Sequence, residues 1–249
     1  MSIDGVAGKT IIVTAGGNGI GLATARGLVA NGAKVAIVDI SADSVEKAVA
    51  ELGSDNAFGV TADIGVLADV DRYFDACVDH FGRIDGLFNN AGITAPRVPL
   101  SELDLGFAEK LLAVNIMGTV RGMQRMIHHV RDHKQGGIIL NTSSGTALQG
   151  APHTGFYSAT KSAIISLTKT AAIEAAPDGI RVNTILPGPT ETPTLLAAPE
   201  DKKAFFLSIV PLGRFGKPEE IANLAVWLLS EQSSYVTGGV FAVDGGSST

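Results

Sequence analysis

Thr10-Ile11-Ile12-Val13-Thr14-Ala15-Gly16-Gly17-Asn18-Gly19-Ile20-Gly21 runs from five strand-forming residues through a glycine-rich turn into a helical pattern that continues to Ala30. The apolar run reads as a buried strand because its hydrophobic residues are continuous rather than alternating. Glycines let the backbone approach a ligand closely, and a helix that starts at Gly19 aims its free N–H groups and positive dipole end at the same spot. A strand, a glycine turn and a helix in that order form a pyrophosphate cradle. About twenty residues further on, Val35–Val38 forms a second strand that ends at Asp39. An acidic side chain there is placed to accept hydrogen bonds from the ribose hydroxyls of an adenosine, and its charge repels a 2′-phosphate. Its neighbours Asn18 and Ile40 bring no compensating cation, so the pattern favours NAD over NADP. Asp39 could instead cap the helix from about Ser41 to Leu52, but Ser41 is itself a good cap.

The β–α alternation continues along the chain. Ala57–Thr61, Gly86–Asn89, Ile138–Asn141, Val182–Leu186 and Val240–Val243 are further strand candidates. Helical patterns separate them: Val66 to Phe81, Leu103–Lys134, Tyr157–Ala176 and Pro218–Leu229. Regular alternation with uniformly apolar strands predicts an α/β fold, a Rossmann-type doubly wound parallel sheet of about seven strands with helices on both faces. No linker or repeat interrupts the series, so residues 1–249 read as a single dinucleotide-binding and catalytic domain. Thr190–Phe215 fits no strand slot. Its apolar residues are interspersed with prolines and charges, which suggests a mobile substrate lid over about 190–215 or a contact with another subunit.

The bulk composition excludes several classes. The net charge of −6 is spread along the chain and argues against a nucleic-acid surface. The lone cysteine, Cys77, rules out an internal disulfide and sits on the apolar stripe of its helix. No run of eighteen apolar residues occurs and the first residues hold no apolar signal core, so the expected protein is cytoplasmic and does not engage a membrane.

Tyr157-Ser158-Ala159-Thr160-Lys161 places a phenol and an ammonium four residues apart, on one face of a helix. The positive charge favours the phenolate and should draw the tyrosine's pKa down from about 10, making Tyr157 a proton donor or acceptor for an alcohol/ketone couple. The pair is a weak signal alone. Together with the glycine turn, Asp39, Asn89-Asn90-Ala91-Gly92, Asn115 and Ser144 it resembles the short-chain dehydrogenase/reductase family over Lys9 to Gly246. The resemblance implies catalytic roles for four residues. Ser144 would hydrogen-bond the substrate oxygen, and Tyr157 would act as acid/base. Lys161 would tune the tyrosine and hold the nicotinamide ribose, and Asn115 would position a water in the proton relay. It further implies that the cofactor meets Ala15, Gly16, Gly17, Asn18, Gly19, Ile20, Gly21, Asp39 and Ile40. The same holds for Asp63, Ile64, Asn90, Ala91 and Gly92, and for the Pro187-Gly188-Pro189-Thr190-Glu191-Thr192 segment around the nicotinamide. The family is usually tetrameric, so a homotetramer is expected.

Two departures follow from the resemblance. Ala15 stands where the family has the first glycine, and its Cβ is harmless at negative φ but clashes at positive φ. Ser143 also offers a hydroxyl, although strand alternation and spacing to Tyr157 favour Ser144. His153, four residues before Tyr157, and Leu195 and Leu196 are candidate substrate contacts. Arg125, His128, His129, Arg131, His133 and Lys134 form a basic cluster. The helix C-terminus explains it; a metal shared by His129 and His133, or docking of an acidic carrier protein, are the alternatives, and no metal site is expected. The sequence therefore predicts an NAD-dependent oxidoreductase interconverting a small secondary alcohol and a ketone, on a hydrophobic or alicyclic substrate. The alternatives are an NADPH-dependent 3-oxoacyl-carrier-protein reductase and a non-catalytic nucleotide-sensing protein.

Overall fold

Every strand is parallel; the inner strands are buried along their apolar runs, while the edge strands at Ala57–Thr61 and Val240–Val243 are only partly buried. The computed structural model describes residues 3–249. β1 (Thr10–Thr14) is fully buried and leads through the glycine turn into α1 (Gly19–Ala30). β2 (Lys34–Asp39) is followed by α2 (Ala42–Leu52), whose N-cap Ser41 accepts a hydrogen bond from the Ser44 N–H. Ser41 therefore caps this helix, and Asp39 is left to another task. β3 (Ala57–Thr61), α3 (Leu67–Phe81) and β4 (Gly86–Asn89) complete the first half.

The second half holds α4 (Leu105–Leu111), a π-helical turn over Leu112–Gly118, α5 (Thr119–His133) and β5 (Gly137–Thr142). Then come α6 (Gly155–Ala175), β6 (Ile180–Pro187), α7 (Pro193–Leu196), α8 (Glu200–Ser208), α9 (Pro218–Leu228) and β7 (Val240–Val243). The sheet order is β3-β2-β1-β4-β5-β6-β7. The chain reverses its winding between β1 and β4, so a crevice opens at their carboxyl ends, where open α/β sheets bind ligands. Two apolar layers flank the sheet. Val13, Leu28, Ile37 and Val226 belong to one, and Ile12, Tyr73, Phe74 and Met126 to the other.

The helix expected over Leu103–Lys134 runs from Leu105 to His133, with the π-helical turn inside it. The turn packs closely on the loop after β3: a Cβ on Gly118 would lie 2.3 Å from the Ile64 carbonyl oxygen, so only a glycine allows this approach. π-turns of this kind re-aim side chains, and Asn115 sits in the middle of this one.

The basic cluster is largely neutralised within the fold. Arg125 pairs with Asp71 and Asp75, and Arg131 with Asp178. His129 is buried, and its Nε2 accepts a hydrogen bond from the Ile84 N–H, which fixes the neutral ring with its proton on Nδ1. Burial, then the neighbouring His133, hold its pKa below the usual range. Cys77 is buried as expected, which pushes its thiol up to about 12.

Ala15 adopts φ +48°, in the left-handed region. The sequence reading named this as the unfavourable case. The backbone is nevertheless held there: Gly16 N–H donates to the Val38 carbonyl at 3.1 Å. A left-handed alanine costs about 1–2 kcal/mol, whereas a glycine in its place gives up about 0.4–1 kcal/mol to unfolded-chain entropy. Ala15→Gly is therefore expected to raise Tm by about 1–4 °C. Calorimetry of the two proteins checks this, and an unchanged or lowered Tm would mean the strain is relieved elsewhere.

Candidate active site

The site is assembled at the carboxyl ends of β1, β4, β5 and β6. β1 supplies the first part. Asn18 is the N-cap of α1 but makes no side-chain capping bond, and the first turn holds no acidic residue. The leading N–H groups of α1 are thus free for an anion. Gly21 is forced by packing, since a Cβ there would lie 2.0 Å from the Ala15 carbonyl oxygen. Gly19, at φ +52°, lies against Thr192: a Cβ would meet Thr192 Cγ2 at 3.1 Å. The fold therefore brings the glycine turn and the Pro187–Thr192 segment together, although 171 residues separate Thr192 from Gly21 in sequence (192 minus 21).

Asp39 is buried at the end of β2 and holds the turn from below. One carboxylate oxygen accepts from the Gly17 N–H and the other from the Ser41 N–H, both at 3.1 Å. Ile40 next to it is exposed. Asp63 folds over its own loop, where its Oδ1 accepts from the Gly65 N–H at 2.8 Å. Thr14 does work the sequence reading missed. Its hydroxyl accepts from the N–H groups of Asn90 and Ala91, both at 3.0 Å, and so ties the end of β4 to the glycine turn. The Asn90 side chain donates to the Thr14 carbonyl at 3.2 Å and accepts from the Thr142 hydroxyl at 3.4 Å, reaching across to β5. A threonine closing an otherwise aliphatic strand was the available signal.

The end of β5 and the start of α6 carry the reactive groups. Ser143 and Ser144 point to opposite sides, as strand alternation requires. Ser143 is buried and donates to the Lys161 carbonyl at 2.7 Å. Ser144 is half-buried, its Oγ accepts from the Thr146 N–H at 3.4 Å and the Thr146 hydroxyl at 3.2 Å, and its nearness to the phenol lowers the Tyr157 pKa. Ser143 is thus engaged by the Lys161 backbone, and Ser144 is the serine on the side of the tyrosine. Burial is the larger effect on Tyr157 and raises its pKa. The sequence reading expected Lys161 to draw it down, but the ammonium lies 5.9 Å from the ring centroid and burial sets the direction. Lys161 is buried too, which lowers its pKa to about 8, and it donates to the Thr142 carbonyl at 3.0 Å.

Asn115 is buried against the same group. Its Nδ2 donates to the Ile93 carbonyl at 3.0 Å and to the Thr160 hydroxyl at 3.2 Å, and its Oδ1 accepts from the Ile93 N–H at 2.8 Å. Gly92 fills the space between. A Cβ there would lie 3.1 Å from Lys161 Nζ and 3.2 Å from Asn115 Oδ1. Gly92, Asn115, Tyr157 and Lys161 are therefore one cluster, with Ser144 beside the phenol. Of the candidate substrate residues, Leu195 is buried, while Leu196 and His153 are exposed. No group of three His, Cys, Asp or Glu able to hold a metal occurs among the described residues. His129 and His133 stack at 4.2 Å between centroids, with one ring nitrogen of each engaged by backbone.

Such an arrangement can bind a dinucleotide across the crevice, and it can transfer a proton at a carbonyl or hydroxyl oxygen held between Ser144 and Tyr157. Comparison with known proteins agrees with it. The family model described as enoyl-(acyl carrier protein) reductase matches residues 14–248. A 2,5-dichloro-2,5-cyclohexadiene-1,4-diol dehydrogenase of Sphingobium indicum is 41% identical over 244 residues, covering 97% of each chain. Levodione reductase of Leifsonia aquatica is 34% identical over 96% of this chain and 94% of that protein. The crystal structure of a 3-ketoacyl-(acyl-carrier-protein) reductase from Brucella melitensis, complexed with NADH, superposes with a TM-score of 0.92 at 36% identity, covering 98% of this chain and all of that one. A seven-stranded doubly wound sheet, the Ser144–Tyr157–Lys161 cluster between the end of β5 and α6, and relatives matching over nearly the whole length place this protein in the short-chain dehydrogenase/reductase family.

Proposed function

We propose that the protein is an NAD-dependent oxidoreductase that interconverts a secondary alcohol and a ketone on a hydrophobic, alicyclic substrate. The observation that carries the chemistry is the buried Lys161, held by the Thr142 carbonyl with its ammonium 5.9 Å from the Tyr157 ring, while Ser144 stands beside the same phenol. A nicotinamide dinucleotide, when bound, supplies or accepts the hydride. The chain's own residues do the rest. Ser144 orients the substrate oxygen and stabilises its developing charge. Tyr157, kept neutral by burial, donates its proton to that oxygen in ketone reduction and takes one from the hydroxyl in oxidation. The Lys161 charge favours the phenolate that reduction leaves behind. Asn115, through its bonds to Ile93 and Thr160, holds the adjoining backbone in register for the proton relay.

The substrate class rests on two relatives whose names specify ring substrates, the cyclohexadienediol dehydrogenase and levodione reductase. The segment 190–215 acts as the lid of a single domain spanning 1–249, with Leu195, Leu196 and His153 facing substrate. Exposed Leu105, Leu112, Met117 and Ile173 on α4–α6 support burial between subunits of a homotetramer. No helix among the described residues is long and apolar enough to cross a membrane, and a cytoplasmic enzyme without membrane or nucleic-acid partners is our reading.

The cofactor preference rests on Asp39. Its carboxylate lies under Gly17, where a 2′-phosphate would face a second anion, and like charges so placed cost several kcal/mol. NADH should support ketone reduction at least about tenfold better than NADPH in kcat/KM. Asp39→Asn should narrow that ratio, since it removes the charge while keeping the shape. Initial rates with both cofactors check it, and an NADPH preference would favour the carrier-protein reductase reading. Fluorescence titration with NADH tests whether Ala15 is tolerated in the cradle.

Tyr157→Phe should lower turnover about 10²–10⁴-fold, the usual contribution of a positioned acid, with NADH affinity retained. Turnover that survives the change would remove Tyr157 from the acid/base role. The wild-type reduction rate should hold through neutrality and fall as pH rises through about 8, where Lys161 sheds its proton. A kcat/KM profile that stays flat to pH 9.5 would contradict this. A panel of ring ketones and alcohols, steroids and 3-oxoacyl thioesters identifies the preferred substrate.

A further inference from the structure

Arg97 lies on the loop leaving β4, five residues beyond Gly92, and forms no ion pair with any acid among the described residues. It makes two other contacts. Its Nη2 donates to the Pro152 carbonyl at 3.0 Å, and its guanidinium lies 4.3 Å from the centroid of the Phe205 ring in α8. The next residue, Val98, donates its N–H to the His153 carbonyl, also at 3.0 Å. His153 has φ +67°, in the left-handed region, which a non-glycine residue keeps only when its surroundings hold it there. α6 begins two residues later, and Tyr157 stands in its first turn.

Arg97 and Val98 thus grip the strained corner ahead of Tyr157, and the same guanidinium reaches the helix of the 190–215 segment. Only arginine meets both demands at once. Its planar group donates a hydrogen bond in the plane while presenting its face to a ring, which an ammonium does not do. We propose that Arg97 is a latch, a positioning residue that fixes α8 to the Pro152–His153 corner and so couples the lid to the entry of the tyrosine helix. What the latch serves rests on the alcohol/ketone reading above; the latch itself rests on the contacts alone.

The test has two arms. In the first, amide hydrogen exchange is followed over 152–156 and 200–209 without substrate. Arg97→Ala should speed exchange in both segments about two- to fivefold, the scale of an exposed cation–π contact. Phe205→Leu should do the same, the double variant should add nothing further, and Phe205→Tyr should keep the wild-type rates. Unchanged exchange in Arg97→Ala, or additive effects in the double variant, would overturn the latch. In the second arm, Arg97→Ala should raise KM for the best ketone of the panel by a similar factor, with kcat moving less and NADH affinity retained. A KM that stays at the wild-type value while exchange quickens would overturn the coupling to substrate. Should wild type reduce no ketone, the exchange arm still decides the latch, and the failure then falls on the proposed chemistry.

Discussion

Two hydrogen bonds running in opposite directions between the end of β5 and α6 hold the reactive groups in place. Ser143 donates to the Lys161 carbonyl, and Lys161 donates from its ammonium to the Thr142 carbonyl. Between Ser144 and Gly155 the chain makes a loop of its own, so the serine and tyrosine would have no fixed spacing without this lock. Its cost is a buried ammonium. Moving such a charge out of water costs several kcal/mol unless it is compensated, and the lowered pKa of Lys161 registers that penalty. Gly92 matters for the same reason, because any side chain there would press on the ammonium.

Beneath the lock, the centre of the sheet is polar at the level where its strands end. Asn89 donates to Asn141 at 3.0 Å, and Asn141 donates to Thr168 of α6 at 2.9 Å. Thr184 of β6 donates to the Asn141 carbonyl at 3.0 Å, and Asn89 also reaches the Thr119 carbonyl at 3.3 Å. These groups are buried, so each needs its partner, and a satisfied network at low dielectric specifies one arrangement. A Leu at Asn141 would take one acceptor from the Asn89 amide and the donor from the Thr168 hydroxyl together. The network thus fixes β4, β5, β6 and two helices in the register on which the site above them depends.

How much of this was legible depends on the range of the forces involved. Continuous apolar runs gave the bounds of β1 and β4, because strands covered on both faces leave no polar positions to blur them; the runs also bounded the edge strands β3 and β7, which are only partly buried. The order of the β–α units also placed the glycine turn and Asn90 on either side of one crevice. The π-helical turn around Asn115 was not legible. It packs through Gly118 on the Ile64 carbonyl, a contact between segments more than fifty residues apart (118 minus 64). The direction of the tyrosine's shift failed for a related reason: spacing reveals a neighbouring charge, whereas burial is a property of the whole fold. Thr190–Phe215 lacked any strand pattern, and it forms the two short helices α7 and α8 instead. With several apolar side chains exposed and prolines at both helix starts, it has little internal periodicity to read.

The same division separates the chemistry from its specificity. Ser143, Lys161, Asn115 and Asn141 are buried and bonded on several sides, so local opening there requires breaking the core. The Pro152–His153 corner and α8 are joined by surface contacts, each worth little by itself. A loop held that weakly changes its side chains without disturbing the sheet, whereas a change at Asn141 propagates into five elements. On the proposed reading, substrate choice resides where substitution is cheap, and the proton-transfer geometry where it is not. Arg97 stands at the boundary between the two, because its loop descends directly from Gly92, beside Lys161, and its guanidinium ends on Phe205 of α8.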